Sequence, residues 1–171
     1  MNRVAAFAAA LALRALVPVA LAADPPESIP TAPALTAIDP ATGDRVALDP
    51  SKGPMHVVFV ATWCRPCLAE FTKLADLEDR WKADGYRLLL VAVPTRQTQD
   101  RLREFLAQGP LPGRLLFDAD GSVSAAFGAA TIPAHLLVDR QGRIVARAGT
   151  LDPAFAQAVE LLVRREGRAK S

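Results

Sequence analysis

The chain has 171 residues, 51% apolar and 22% charged, with a formal charge of +2. These are the proportions of one folded globular domain with some accessory sequence, and they exclude a disordered or fibrous chain. Without Arg3 and Arg14, which lie in a segment expected to be removed, Lys+Arg falls from 20 to 18 against 18 Asp+Glu. The remainder is near neutral and carries no clustered basic face of the kind that binds nucleic acid.

Residues 1–22 read as a secretory signal peptide. Arg3 precedes the apolar runs Val4–Leu13 and Ala15–Ala22, and Ala20-Leu21-Ala22 is a small-x-small cleavage pattern. An uncleaved membrane anchor ranks second, because Arg14 would sit in the middle of the span at a cost. Residues 23–33 hold four prolines and read as an extended lead-in. The folded domain is expected over 34–166, with 167–171 as a tail. Arg164, Arg165, Arg168 and Lys170 read as a solvated helix end, where cations meet the negative pole of the dipole.

The domain opens on a small hairpin, Ala34–Ile38 and Arg45–Leu48, around the turn residues 39–44. Met55–Ala61 is apolar and β-branched, as in a buried strand. A helix is expected from Arg65 to Ala83, with an apolar stripe at Leu68, Phe71, Leu74, Ala75 and Leu77 and a stop at Asp84-Gly85. Arg87–Val93 is a second buried strand, apolar enough to require helices on both faces of its sheet. A polar helix over Gln97–Gln108, a short strand Leu115–Phe117 and a short helix Ser122–Phe127 follow. The chain ends with strands Ala134–Asp139 and Ile144–Ala148 around the turn 140–143, then an amphipathic helix over Pro153–Arg165. Parallel βαβ units followed by a β-hairpin and helix imply an α/β fold with a mixed central sheet flanked by helices.

Trp63-Cys64-Arg65-Pro66-Cys67 is the informative motif. It falls where a buried strand meets a helix N-terminus, whose dipole and unpaired N–H groups favour a thiolate at Cys64. The i, i+3 spacing lets the two sulfurs meet, and Pro66 is tolerated in a first turn that has no use for its N–H. Disulfide exchange needs an attacking thiolate and a resolving thiol nearby. Cys64, exposed, would attack, and Cys67, one turn deeper, would resolve. Other readings are a structural disulfide, a structural zinc site completed by His56 and His135, or two inert buried cysteines. A disulfide over so short a loop constrains the unfolded chain little, neither histidine has finger-like spacing, and inert cysteines need no flanking Trp and Pro. The redox reading is therefore preferred. His135 is weighed as a third metal ligand beside the thiolates and set below a packing or surface role. No metal or other cofactor is expected.

From about Pro33 to Val163 the chain resembles the TlpA/ResA-like family of exported thioredoxin-like thiol-disulfide oxidoreductases. The resemblance rests on the hairpin, the strand–WCxxC unit Met55–Cys67, Thr131-Ile132-Pro133, the hairpin 136–144, and the segment between Val93 and Asp118, which matches that branch's helix–strand insert. It implies a thioredoxin fold and a cis Ile132–Pro133 bond, with the Ile132 backbone offered to a substrate strand. Trp63, Arg65 and Pro66 would line the substrate contact. It also implies an active-site acid at Glu70, one turn past Cys67. A half-buried carboxyl there would have a raised pKa and exchange a proton with Cys67. Thioredoxin itself places an acid on the preceding strand, at an offset that here is Val58. The family often has a proline soon after the glutamate. This chain has Phe71-Thr72, so a helix kink is less expected. Arg65 would favour the Cys64 thiolate and a more oxidising protein, and Glu70 the reverse.

The function so implied is periplasmic reduction of disulfides in protein substrates, such as apocytochrome c or metal-insertion proteins. A membrane electron donor of the thiol-reducing type would keep the dithiol supplied. The alternatives are a copper-binding chaperone using the same cysteines, since soft thiolates suit Cu(I), and a dithiol oxidant.

Overall fold

The computed structural model describes residue 32 and residues 35–168. The leader and most of the lead-in lie outside the described residues. The N-terminal hairpin is β1 (Thr36–Ile38) and β2 (Arg45–Ala47), paired antiparallel about a turn in which Asp39 accepts the Ala41 N–H. Then come β3 (Met55–Val60), α1 (Arg65–Ala69), α2 (Phe71–Trp81), β4 (Arg87–Ala92), α3 (Gln99–Leu106), β5 (Arg114–Phe117), α4 (Ser122–Ala126), β6 (Ala134–Val138), β7 (Ile144–Ala148) and α5 (Pro153–Arg168). The seven strands form one mixed sheet in the order β2-β1-β5-β4-β3-β6-β7. β3, β4 and β5 are parallel, and β6 and β1 run antiparallel to their neighbours. The expected insert is α3 with β5, which slots between β4 and the hairpin.

β3 and β4 are buried on both faces, as their unbroken apolar runs require. Phe59 packs on Phe127 at the end of α4, with ring centroids 5.9 Å apart. On the opposite face Phe155 of α5 lies against His56, with ring centroids 4.9 Å apart. Antiparallel pairing sets Val58 opposite His135 and His56 opposite Leu137. Both histidines therefore share the face covered by α5, because cross-strand partners point the same way and side chains alternate along a strand.

Three departures from expectation bear on the site. The single helix Arg65–Ala83 is two, broken at Glu70 (φ −91°, ψ −10°), without the proline that would explain a kink. Beyond Trp81 the chain tightens into a 3-10 turn that ends on left-handed Gly85. α5 continues to Arg168, past the expected end of the domain. Gly113 cannot carry a side chain, since its φ is +70° and a Cβ there would collide with the Leu88 carbonyl. Its N–H donates to the Glu78 carboxylate and ties β5 to α2. Among the described residues no helix is long and apolar enough to cross a membrane.

Candidate active site

The end of β3 delivers Cys64 to the N-cap of α1, where its backbone is extended (φ −83°, ψ 95°). Cys64 and Cys67 form a disulfide. The Cys67 N–H donates to Cys64 Sγ at 3.3 Å, so the sulfur occupies the place of a capping oxygen and receives one of the helix's unpaired donors. Arg65 and Pro66 are exposed in the first turn. Cys64 was expected to be exposed, but it is only 4% accessible, against 1% for Cys67. Bonded to Cys67 and turned onto the first turn, its sulfur faces the helix and not solvent.

Trp63 stands 46% exposed beside the pair. It is braced by the loop after β4: its indole N–H donates to the Thr95 carbonyl at 2.9 Å, and the Arg96 guanidinium lies over the ring at 5.9 Å. The neighbouring Thr62 hydroxyl donates to Gln97 at 2.7 Å. At the start of β6 the Ile132–Pro133 bond is cis, with Ile132 half-buried and Pro133 buried. Pro133, Ala134, Arg147 and Gly149 line one groove.

Glu70 sits at the break between α1 and α2, its N–H bonded to the Cys67 carbonyl at 3.2 Å. Its carboxylate does not hydrogen-bond to either cysteine. Oε1 accepts the Leu151 N–H at 2.8 Å, and Oε2 lies 2.9 Å from His135 Nε2. Behind this contact His135 Nδ1 lies 3.0 Å from His56 Nε2, and His56 Nδ1 lies 2.6 Å from the Tyr86 hydroxyl. Burial holds the His135 pKa below the ordinary imidazole value despite the pull of Glu70. Burial, reinforced by His135, pushes His56 lower still. Both rings are thus neutral near pH 7, and the Glu70–His135 contact is a hydrogen bond between a carboxylate and a neutral imidazole. Burial, with the Glu78 charge behind it, raises the Tyr86 pKa, so its hydroxyl keeps its proton.

The structure therefore brings together Trp63, Cys64, Arg65, Pro66 and Cys67, with Glu70 at the base of α1, and places the cis proline at the head of β6. His135 is neither a surface group nor an idle packing residue, and both its ring nitrogens are already engaged. Among the described residues no group of three or more His, Cys, Asp or Glu is placed to hold a metal ion. Sequence reasoning missed His56, Tyr86 and the Leu151 N–H as members of this assembly. The available signal was His56 itself, a polar side chain inside the strand Met55–Val60, which is buried throughout and where an unpaired imidazole would be costly.

Residues 30–147 match the model of the AhpC/TSA family. The chain is 26% identical over 109 residues to the thiol-disulfide oxidoreductase ResA of Bacillus subtilis, covering 63% of this chain and 60% of that protein. It is 35% identical over 92 residues to the thiol:disulfide interchange protein HelX of Rhodobacter capsulatus, covering 53% and 49%. Matches to curated relatives thus span about three fifths of their length or less. Among solved structures, a candidate thiol:disulfide interchange protein DsbE from Chlorobium tepidum superposes with a TM-score of 0.67 at 25% identity, over 80% of this chain and 95% of that one. With the sheet order and the strand–CxxC–helix unit above, these likenesses place the chain: it belongs to the AhpC/TSA family, and within its thioredoxin-like fold it is similar to the ResA and HelX thiol-disulfide oxidoreductases.

Proposed function

We propose that this protein is an exported thiol-disulfide oxidoreductase that reduces disulfides in protein substrates of the periplasm. The observation that carries the reading is the Cys64–Cys67 disulfide at the first turn of a helix, a position that favours thiolate at the leading sulfur. In the reduced protein the Cys64 thiolate attacks a substrate disulfide and releases one substrate thiolate. Cys67, as thiolate, then attacks Cys64 Sγ, frees the second substrate thiolate and closes the intramolecular disulfide. Two electrons pass to the substrate, and its two thiolates take up the two protons given up by Cys64 and Cys67. Trp63, Arg65 and Pro66 form the exposed rim that meets the substrate, and the Ile132 backbone beside Pro133 pairs with its chain. Glu70 serves as the active-site carboxyl group, one turn past Cys67.

The names of ResA and HelX support the chemistry, and the leader-like residues 1–22 support export. A reductant in an oxidising compartment needs continual supply, so a membrane electron donor of the thiol-reducing type is its partner. Apocytochrome c and metal-insertion proteins fit as substrates. The copper-chaperone alternative is weakened because His135, its nearest third ligand, already faces Glu70 and His56 with its two ring nitrogens.

The test is the reduction potential of the pair, read with its redox state in the cell. A reductant should lie nearer the roughly −270 mV of thioredoxin than the roughly −120 mV of DsbA, and should be isolated largely reduced. A potential near that of DsbA with largely oxidised protein would make it an oxidant.

A further inference from the structure

Glu70, His135, His56 and Tyr86 form an unbroken line of hydrogen-bonding contacts. It runs from the base of α1 through the α5-covered face of the sheet to the residue before β4. Both histidine side chains are inaccessible, Tyr86 is 3% exposed, and Phe155 packs against both imidazoles. Nothing in the disulfide chemistry as described requires His56 or Tyr86, yet burying two imidazoles and a phenol in a sheet core is costly unless every contact is satisfied.

The direction of the hydrogens follows by elimination. A carboxylate only accepts, so His135 must present Nε2–H to Glu70, which leaves its Nδ1 bare. His56 must then donate Nε2–H to that nitrogen, which leaves its own Nδ1 bare. The Tyr86 O–H must donate to His56 Nδ1. Three contacts use the three available hydrogens, and all point toward Glu70. The reverse order needs a proton on Glu70 Oε2 and turns the Tyr86 hydroxyl hydrogen away from the chain. Among the described residues that hydroxyl has no second partner.

We infer that His135, His56 and Tyr86 are positioning residues for the redox centre. They are an ordered line of donors that holds Glu70 as a carboxylate at the base of the cysteine-bearing helix, so that a tyrosine across the sheet governs the charge beside the dithiol. The other charges that bear on the line are acidic: Asp152, ahead of α5, acts on His135, and Glu78 of α2 acts on Tyr86. Cys64 and Cys67, at the start of the helix that Glu70 ends, titrate only once their disulfide is reduced. Arg87, the next residue after Tyr86, directs its guanidinium to the Asp49 carbonyl instead.

The kinetic arm rests on the oxidoreductase reading, whereas the spectroscopic arm is independent of it. Nitrogen NMR of the full chain with labelled histidine should find both rings neutral and protonated on Nε2 at pH 7. A proton on Nδ1 of either ring, or a charged ring, overturns the inference whether or not the protein proves to be an oxidoreductase. Tyr86→Phe removes one hydroxyl from the far end. By loosening the hold on the Glu70 charge, which disfavours the thiolate, it should move the acid limb of the thiol-exchange profile to lower pH, by about threefold to tenfold in proton concentration, the scale of one hydrogen bond. The same substitution in a Glu70→Gln background should move nothing. An unshifted profile in folded Tyr86→Phe protein, or an equal shift with Glu70 already replaced, means that the line only packs the core.

Discussion

Cys64 and Cys67 are chemically the same group three residues apart, and the fold makes them different. Cys64 Sγ sits at the N-cap and takes the Cys67 N–H, while Cys67 has entered the helix and is the more deeply buried of the two. A thiolate at the cap gains both the local donor and the dipole, and one at Cys67 gains less of each. Cys67→Ser should therefore accumulate mixed disulfides with thiol-containing substrates through Cys64, and Cys64→Ser should not. Trapping followed by non-reducing electrophoresis reads this directly. Equal trapping through Cys67 would show this assignment of roles to be wrong.

At the scale of elements, α5 and the α1–α2 break hold the acid in place. Phe155 of α5 is 3% exposed, with ring centroids 4.9 Å from His56 and 5.6 Å from His135, and the Leu151 N–H just ahead of the helix binds Glu70. Phe155→Ala should cost about 3–5 kcal/mol, as other buried aromatic truncations do. That is a large share of the roughly 5–15 kcal/mol available to a domain. Urea denaturation measures it, and a loss under about 1 kcal/mol would show that α5 docks without this contact. The strands and most helices were legible locally, because β3 and β4 are unbroken apolar runs and α2 carries a helical stripe. The cysteine site was legible from five consecutive residues. The partners of Glu70 were not, since they depend on the β3–β6 register that sets Val58 opposite His135, a pairing 77 residues apart that no local pattern encodes. The break at Glu70 was hidden for a related reason. No proline marks it, and the side chain that ends α1 is held from outside the helix by β6 and by the turn after β7.

For the whole molecule, the buried imidazoles tie stability to pH. The pKa values of His56 and His135 lie below the ordinary value in the folded chain, chiefly through burial, and His56 is the lower of the two. In the unfolded chain both return to about 6.5. Above that pH neither state holds the extra proton, and the two histidines leave stability unchanged. Below it the unfolded chain binds protons that the folded chain refuses, so stability falls as pH falls. The slope is at most about 1.4 kcal/mol per pH unit for each histidine. The fall from His135 ends first, once the pH passes its folded value, and that from His56 continues further down. Between pH 7 and 5.5 ordinary carboxylates stay ionised, so this window isolates the imidazoles. Unfolding free energy from urea melts should drop by about 1–2.5 kcal/mol across it with an unchanged m-value. His135→Gln leaves one titrating ring and should lessen the drop. A flat response between pH 7 and 5.5 would mean that the folded chain takes up these protons as readily as the unfolded one. In that case the core would admit a charged imidazole beside Glu70.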